Sequence, residues 1–160
     1  RGMERTAQLI TQVSGRAGRE KILGQVIIQT HHPEHPLLQQ LVNSGYRDFA
    51  AHELRNRESS GLPPYSHIAI IRAEASNSGR AEAFLQLARQ TPSVNTVTSF
   101  GPFPAPMEKK AGVFRSHLII QSAKRPLLQQ FLSQFCLQLE HHPLANKVRW
   151  SIDVDPYDMF

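Results

Sequence analysis

The spacing of hydrophobic and polar positions changes character along this chain, and the change divides it. In ERTAQLITQVS, residues 4–14, Ala7, Ile10 and Ser14 share one side with Leu9 and Val13 beside it, which predicts a short amphipathic helix. QVIIQT, residues 25–30, is a β-branched run of strand length. The prolines of HHPEHP, residues 31–36, make that stretch a turn or a polar helix start. LLQQLVNSG and YRDFAAHELRNRESSG then predict two helices. In the second, Tyr46, Phe49, Ala50, Glu53 and Leu54 fall at helical spacing and Arg47, Arg55 and Arg57 face elsewhere. Gly61, Pro63 and Pro64 end that helix and mark a domain boundary.

Beyond the prolines, strand and helix patterns alternate. HIAIIRAEA (67–75) predicts a strand. SNSGRAEAFLQLARQ begins with cap residues and places Ala81, Phe84, Leu85 and Ala88 on one helical stripe. NTVTSFGPF (95–103) predicts a strand that stops in a proline-rich loop, PFPAPMEKKAG, and VFRSHLIIQS (113–122) a further strand. KRPLLQQFLSQFCLQLEHH lines up Leu128, Phe131, Leu132, Phe135 and Leu139 as a buried helical face. In KVRWSIDVDP, Val148, Trp150, Ile152 and Val154 alternate with Arg149, Ser151 and Asp153, the mark of a half-buried strand. The order βαββαβ predicts an α+β fold, the ferredoxin-like split plait with four antiparallel strands and two helices on one face.

Composition narrows the class. At 160 residues, 40% hydrophobic and 19% charged, the chain is ordinary for a globular protein and long enough for one good core plus an incomplete neighbour. A net charge of +5 and a pI of about 9.8 favour a polyanionic partner. Cys136 is the single cysteine, which excludes an internal disulfide and a zinc site of several cysteines. No apolar run approaches the roughly 18 residues of a membrane span. There is no signal-peptide pattern, so a cytoplasmic origin is expected. The chain opens at Arg1 inside an amphipathic segment, which carries the expectation that it is the end of a longer protein.

The densest chemistry is QVSGRAGR, residues 12–19. Two glycines that permit close approach flank guanidinium forks suited to phosphate, so Arg16 and Arg19 could be delivered to a phosphate. On these eight residues alone the favoured reading is a basic helix end, with Gly15 or Gly18 as a C-cap and the arginines solvated. His31, His32, Glu34 and His35 fit no standard metal-ligand spacing and read as a helix start. Cys136, beside an apolar stripe, reads as a structural thiol. Trp150 alternates with core residues and reads as core rather than as a base-stacking ring. Asp153 and Asp155 share an outward face and read as solvated or salt-bridged. Lys109 and Lys110, with Arg115, form a basic cluster for phosphate backbone. Lys124 and Arg125 begin a helix with Pro126 in its first turn, where the dipole disfavours cations but N–H groups suit an anion. Either they await an acidic group or they are solvated.

QVSGRAGR follows the Q-x-x-G-R-x-G-R pattern of the last conserved motif of superfamily-two helicases. With QVIIQT, PEHP, GLPPY and VRWSIDVDP, it resembles the C-terminal end of the primosomal protein N′ family, DNA helicases that restart stalled bacterial replication forks. The resemblance runs from Arg5 to Pro156. It implies the α/β end of a RecA-like second motor lobe over 1–45, a helical linker over 46–64 and a C-terminal plait over 65–160, similar to one in a small-subunit ribosomal protein. It implies a 3′-to-5′ ATP-dependent parent enzyme, with Arg16 and Arg19 as arginine fingers. Gly15 and Gly18 would lie against the ATP phosphates, and Gln12, about one turn earlier, would hold the attacking water or sense the phosphate. An arginine from the second lobe stabilises charge on the departing phosphate only when the lobes close. ATP with Mg²⁺ is the implied cofactor of the parent, with zinc held upstream. No G-x-x-x-x-G-K-[ST] loop and no D-E-x-H occur in these residues, so the chain alone is expected to be inactive, with no cofactor or metal of its own. The implied partners are forked and single-stranded DNA, the acidic tail of single-stranded-DNA-binding protein at Lys124 and Arg125, and other primosome proteins. The implied location is the bacterial cytoplasm, associated with the nucleoid, with no membrane contact. The alternative is a non-enzymatic module that binds nucleic acid or protein without a motor.

Overall fold

Packing of the predicted stripes against one another organises the computed structural model, which describes residues 2–17, 25–92 and 96–157. The chain divides into two compact units, residues 1–60 and 61–160.

The first unit pairs α1 (Gly2–Ser14) with α2 (Pro36–Ser59). Ala7, Leu41 and Phe49 are its buried centre, with Ile10, Leu37 and Tyr46 packed around them. Arg57 bonds Glu4 at 2.8 Å across the pair. Ser14, expected on the inner side, is exposed and turns its hydroxyl back to the Ile10 carbonyl. The HHPEHP stretch is a helix start: His35 is the N-cap of α2, its Nδ1 accepting from Leu37 N–H, with Pro36 in the first turn. The two helices predicted after it meet at a break within α2, where Gly45 leaves helical geometry with a φ of 78° that suits a residue without Cβ. QVIIQT, expected as a strand, is not one. Residues 25–30 have no regular structure and Ile27 is 85% exposed. A β-branched run becomes a strand only where a ladder partner stands beside it, and no described residue of this unit supplies one.

The second unit is the plait. Strands β1 (His67–Ala75), β2 (Val97–Lys110), β3 (Val113–Ser122) and β4 (Arg149–Val154) form one antiparallel sheet in the order β2-β3-β1-β4. Helices α3 (Ser78–Gln90) and α4 (Arg125–Leu139) connect them. Ala69, Ile71, Ala73, Leu118 and Ile120 face the helices and meet the predicted stripes, Ala81, Phe84, Leu85 and Ala88 from α3 and Leu128, Phe131, Leu132, Phe135 and Leu139 from α4. Asn77 caps α3 by accepting from Gly79 N–H at 2.8 Å.

The proline-rich loop expected after Phe103 is instead strand. β2 runs on to Lys110 and turns back into β3 through Ala111 and Gly112, both with positive φ, the backbone hand that suits a two-residue hairpin turn. Prolines are tolerated there because β2 is the edge of the sheet and its register shifts between Pro104 and Lys109.

Candidate functional site

The helicase-like motif lies at the end of α1. Gly15 N–H donates to Thr11 O at 3.0 Å and Arg16 N–H to Val13 O at 3.0 Å, closing the last turn. Gly15 does not have positive φ, so it is not a left-handed C-cap. A Cβ there would meet Thr11 O at 3.4 Å, ordinary contact, so α1 itself does not require glycine at this position. Gln12, Gly15 and Arg16 are all exposed, and among the described residues Arg16 has no ion pair. An exposed, uncommitted guanidinium is the donor chemistry that a nucleotide phosphate needs. Gly18 and Arg19 lie outside the described residues.

Lys109, Lys110 and Arg115 come together on the β2–β3 hairpin but not on one face. Lys109 pairs across the ladder with Phe114 and stands over its ring at 5.0 Å. Arg115, the next residue on β3, therefore points the other way, and its guanidinium donates to the Met107 carbonyl from both Nε and Nη2. Lys110, opposite Val113, shares the Arg115 side. Arg115 thus holds the outer stretch of β2 in place while keeping its charge on the sheet face away from the helices.

That face also carries Arg72, opposite His117, with Arg72 bonded to Asp153 at 2.8 Å. Burial, and then the Arg72 charge, push the His117 imidazole below the ordinary histidine range, so it is neutral at neutral pH. Positive charge here comes from arginine and lysine.

The ring that sequence reasoning weighed for stacking, Trp150, stands opposite Ala73 on the helix side. It packs against Phe84 and Phe135, centroids 5.8 and 6.5 Å away, and is core, as expected. The aromatics on the other face were missed. Phe100 stands opposite Ile119 and Phe103 opposite His117. Three steps along β2 against two along β3 make a bulge, and the extra residue turns both rings to the same side. Gly101 makes this possible: its φ is 112°, and a Cβ would lie 3.0 Å from Phe103 N and 3.2 Å from His117 O. Gly101→Ala is expected to cost about 1–3 kcal/mol of stability in urea unfolding. An unchanged midpoint would show that the bulge accepts a Cβ. The legible signal was the S-F-G-P-F run, an alternation interrupted by glycine and proline between two rings.

At the start of α4, Lys124 is the N-cap and gives no side-chain cap bond, its own N–H donating to Ser122 Oγ at 3.2 Å. Arg125, with a side chain 64% exposed, lies 4.0 Å from Asp155, which also lies 3.9 Å from His67. Asp153 and Asp155 are thus salt-bridged. Cys136 has its thiol pushed up by burial and by Glu140, the state of an unreactive thiol. Among the described residues no cluster of His, Cys, Asp and Glu could hold a metal ion, and no helix is long and apolar enough to cross a membrane.

Residues 58–157 match the primosomal protein N C-terminal domain. The chain belongs to this family. Primosomal protein N relatives align along nearly all of it. The "Replication restart protein PriA" of Haemophilus influenzae is 44% identical over 162 residues, 99% of this chain and 22% of the relative. Those of Synechocystis and Bacillus subtilis, with the same name, are 36% and 31% identical over 98% and 99% of the chain, and 18% and 20% of the relatives. The chain therefore spans about a fifth of the length of these primosomal protein N relatives.

Proposed function

We propose that this chain is the C-terminal portion of an ATP-dependent DNA helicase that restarts replication at stalled forks. Residues 12–19 supply arginine fingers to ATP, and the plait binds DNA and protein. The observation that carries this reading is continuity. Restart proteins from distant bacteria align across 98–99% of the chain, through both the glycine–arginine motif and the plait. The exposed Gln12, Gly15 and Arg16 support the motor assignment, because the Arg16 side chain has no ion pair among the described residues. Bound ATP with Mg²⁺ would supply the scissile phosphate. Arg16 and Arg19 would stabilise charge on it, and Gln12 would orient water. ATP and zinc belong in this reading to the parent, and the chain alone hydrolyses nothing.

In the plait, Lys110 and Arg115 contact phosphate backbone, with Lys109 on the reverse of the hairpin. Lys124 and Arg125 receive the acidic tail of single-stranded-DNA-binding protein, and other primosome proteins dock on the same parent at the bacterial nucleoid. Arg125 can offer two parallel hydrogen bonds to a terminal carboxylate beside the α4 N–H groups. Arg125→Glu removes them and adds repulsion next to Asp155, so an acidic peptide with a free C-terminus should bind about tenfold more weakly or worse, a loss of ~1–3 kcal/mol. Calorimetric titration reads this directly, while DNA affinity measured on the same variant should change little. Equal losses in both assays would reduce Arg125 to general basicity.

A further inference from the structure

Two phenylalanines stand outside the buried core. Phe100 and Phe103 are 43% and 45% exposed, while Phe84, Phe131 and Phe135 of the same unit are almost wholly buried. Both exposed rings lie on the sheet face opposite the helices, turned to one side by the Gly101 bulge. The fold spends a positive-φ glycine to create that arrangement, and Arg89 donates to the Gly101 carbonyl at 3.3 Å to brace it.

The surroundings of the rings say what could lie on them. Arg115 follows His117 along the same face, Lys110 lies beyond it at the hairpin end, and Arg149 stands on that face opposite Glu74. Beside Phe103, whose ring is tilted 6.0 Å from that of His117, the outer stretch of β2 overhangs a cleft of about 270 Å³. Arg72, Glu74, Pro106, Met107, Arg115 and His117 line it. This is below the roughly 300–1,000 Å³ of sites for drug-sized ligands and suits one planar ring. The Glu74 carboxylate disfavours a phosphate inside the cleft and offers an acceptor to an N–H on a base edge. The cations at its rim favour phosphate outside it.

An occupant needs flat apolar faces on a chain of negative charges. Single-stranded nucleic acid has both. A duplex has the charge but keeps its bases stacked on each other, and an acidic peptide lacks the repeated rings. A four-stranded plait with aromatics on its open face is also a known physical solution for stacking unpaired bases. We propose that the open sheet face around Phe100 and Phe103 is a stacking platform for single-stranded nucleic acid. Bases lie on the two rings, one base edge enters the cleft, and phosphates run past Lys110 and Arg115. The proposal rests on the reading that this plait contacts DNA, and adds the strand state and the residues that sense it.

Fluorescence anisotropy of the whole chain with a labelled oligothymidylate, set beside a duplex of the same length, tests it at several salt concentrations. Phe103→Leu keeps the bulk without the π face and should bind the single strand about tenfold more weakly, with its salt slope unchanged. Phe103→Trp should bind as well as the original or better, and Phe100→Leu should behave as Phe103→Leu. Duplex affinity should not move. Lys110→Ala should instead lower the salt slope by about one. If Phe103→Leu binds the oligonucleotide like the unaltered chain, or single strand and duplex weaken equally, the platform is wrong. A loss confined to the lysine variant would leave the DNA reading standing and make the ring pair a protein contact. If the unaltered chain binds neither strand nor duplex, both readings fall.

Discussion

In the intact parent protein, Arg16→Ala and Arg19→Ala should each lower kcat for DNA-stimulated ATP hydrolysis by about 100-fold or more, with nucleotide binding much less affected. The physical reason is that a finger stabilises charge that develops only as the phosphate leaves, so its removal raises the barrier without weakening the ground state equally. Arg16 is suited to this test because its side chain is exposed and α1 is completed without it. Loss of the side chain should therefore leave the fold intact. Steady-state turnover and a separate nucleotide-binding titration distinguish the cases. Normal turnover in either variant would make that arginine a structural cation.

Phe135→Ala should destabilise the plait by about 3–5 kcal/mol, a loss comparable with the whole stability of a small domain. Phe135 is fully buried and meets Phe84 edge-on at 5.9 Å and Trp150 at 6.5 Å, so three rings share one packing centre between both helices and β4. At ~4–8 °C per kcal/mol for a unit of this size, the melting temperature should fall by about 15 °C or more. Phe135→Leu, which refills most of the volume, should fall much less. Calorimetry on the two variants measures the difference, and similar melting temperatures would show that the ring cluster is not the keystone of the core.

The buried faces of α3 and α4 and the alternation of β4 were readable residue by residue, because each side chain is set inward or outward by its own element's period. The expectations that failed depended on partners outside the segment. QVIIQT has strand chemistry but no ladder among the described residues, and PFPAPMEKK has loop chemistry but an edge position beside β3. Propensity describes what a segment tolerates, and pairing decides what it does. Gly15 shows the same limit in the candidate site: its sequence context allowed a C-cap, and only its backbone angle excluded that role.

By itself the sequence determined the βαββαβ order, the helical stripes, the basic character and the helicase-like motif, since each is written in local spacing and residue type. Only the tertiary structure decided which charges and rings share a face. It turned Lys109 away from Arg115 and brought Phe100 and Phe103 to one side of the sheet. A strand sends neighbouring side chains to opposite faces, so one extra residue at a bulge reverses the assignment of everything beyond it. That extra residue is visible only once β2 is laid against β3.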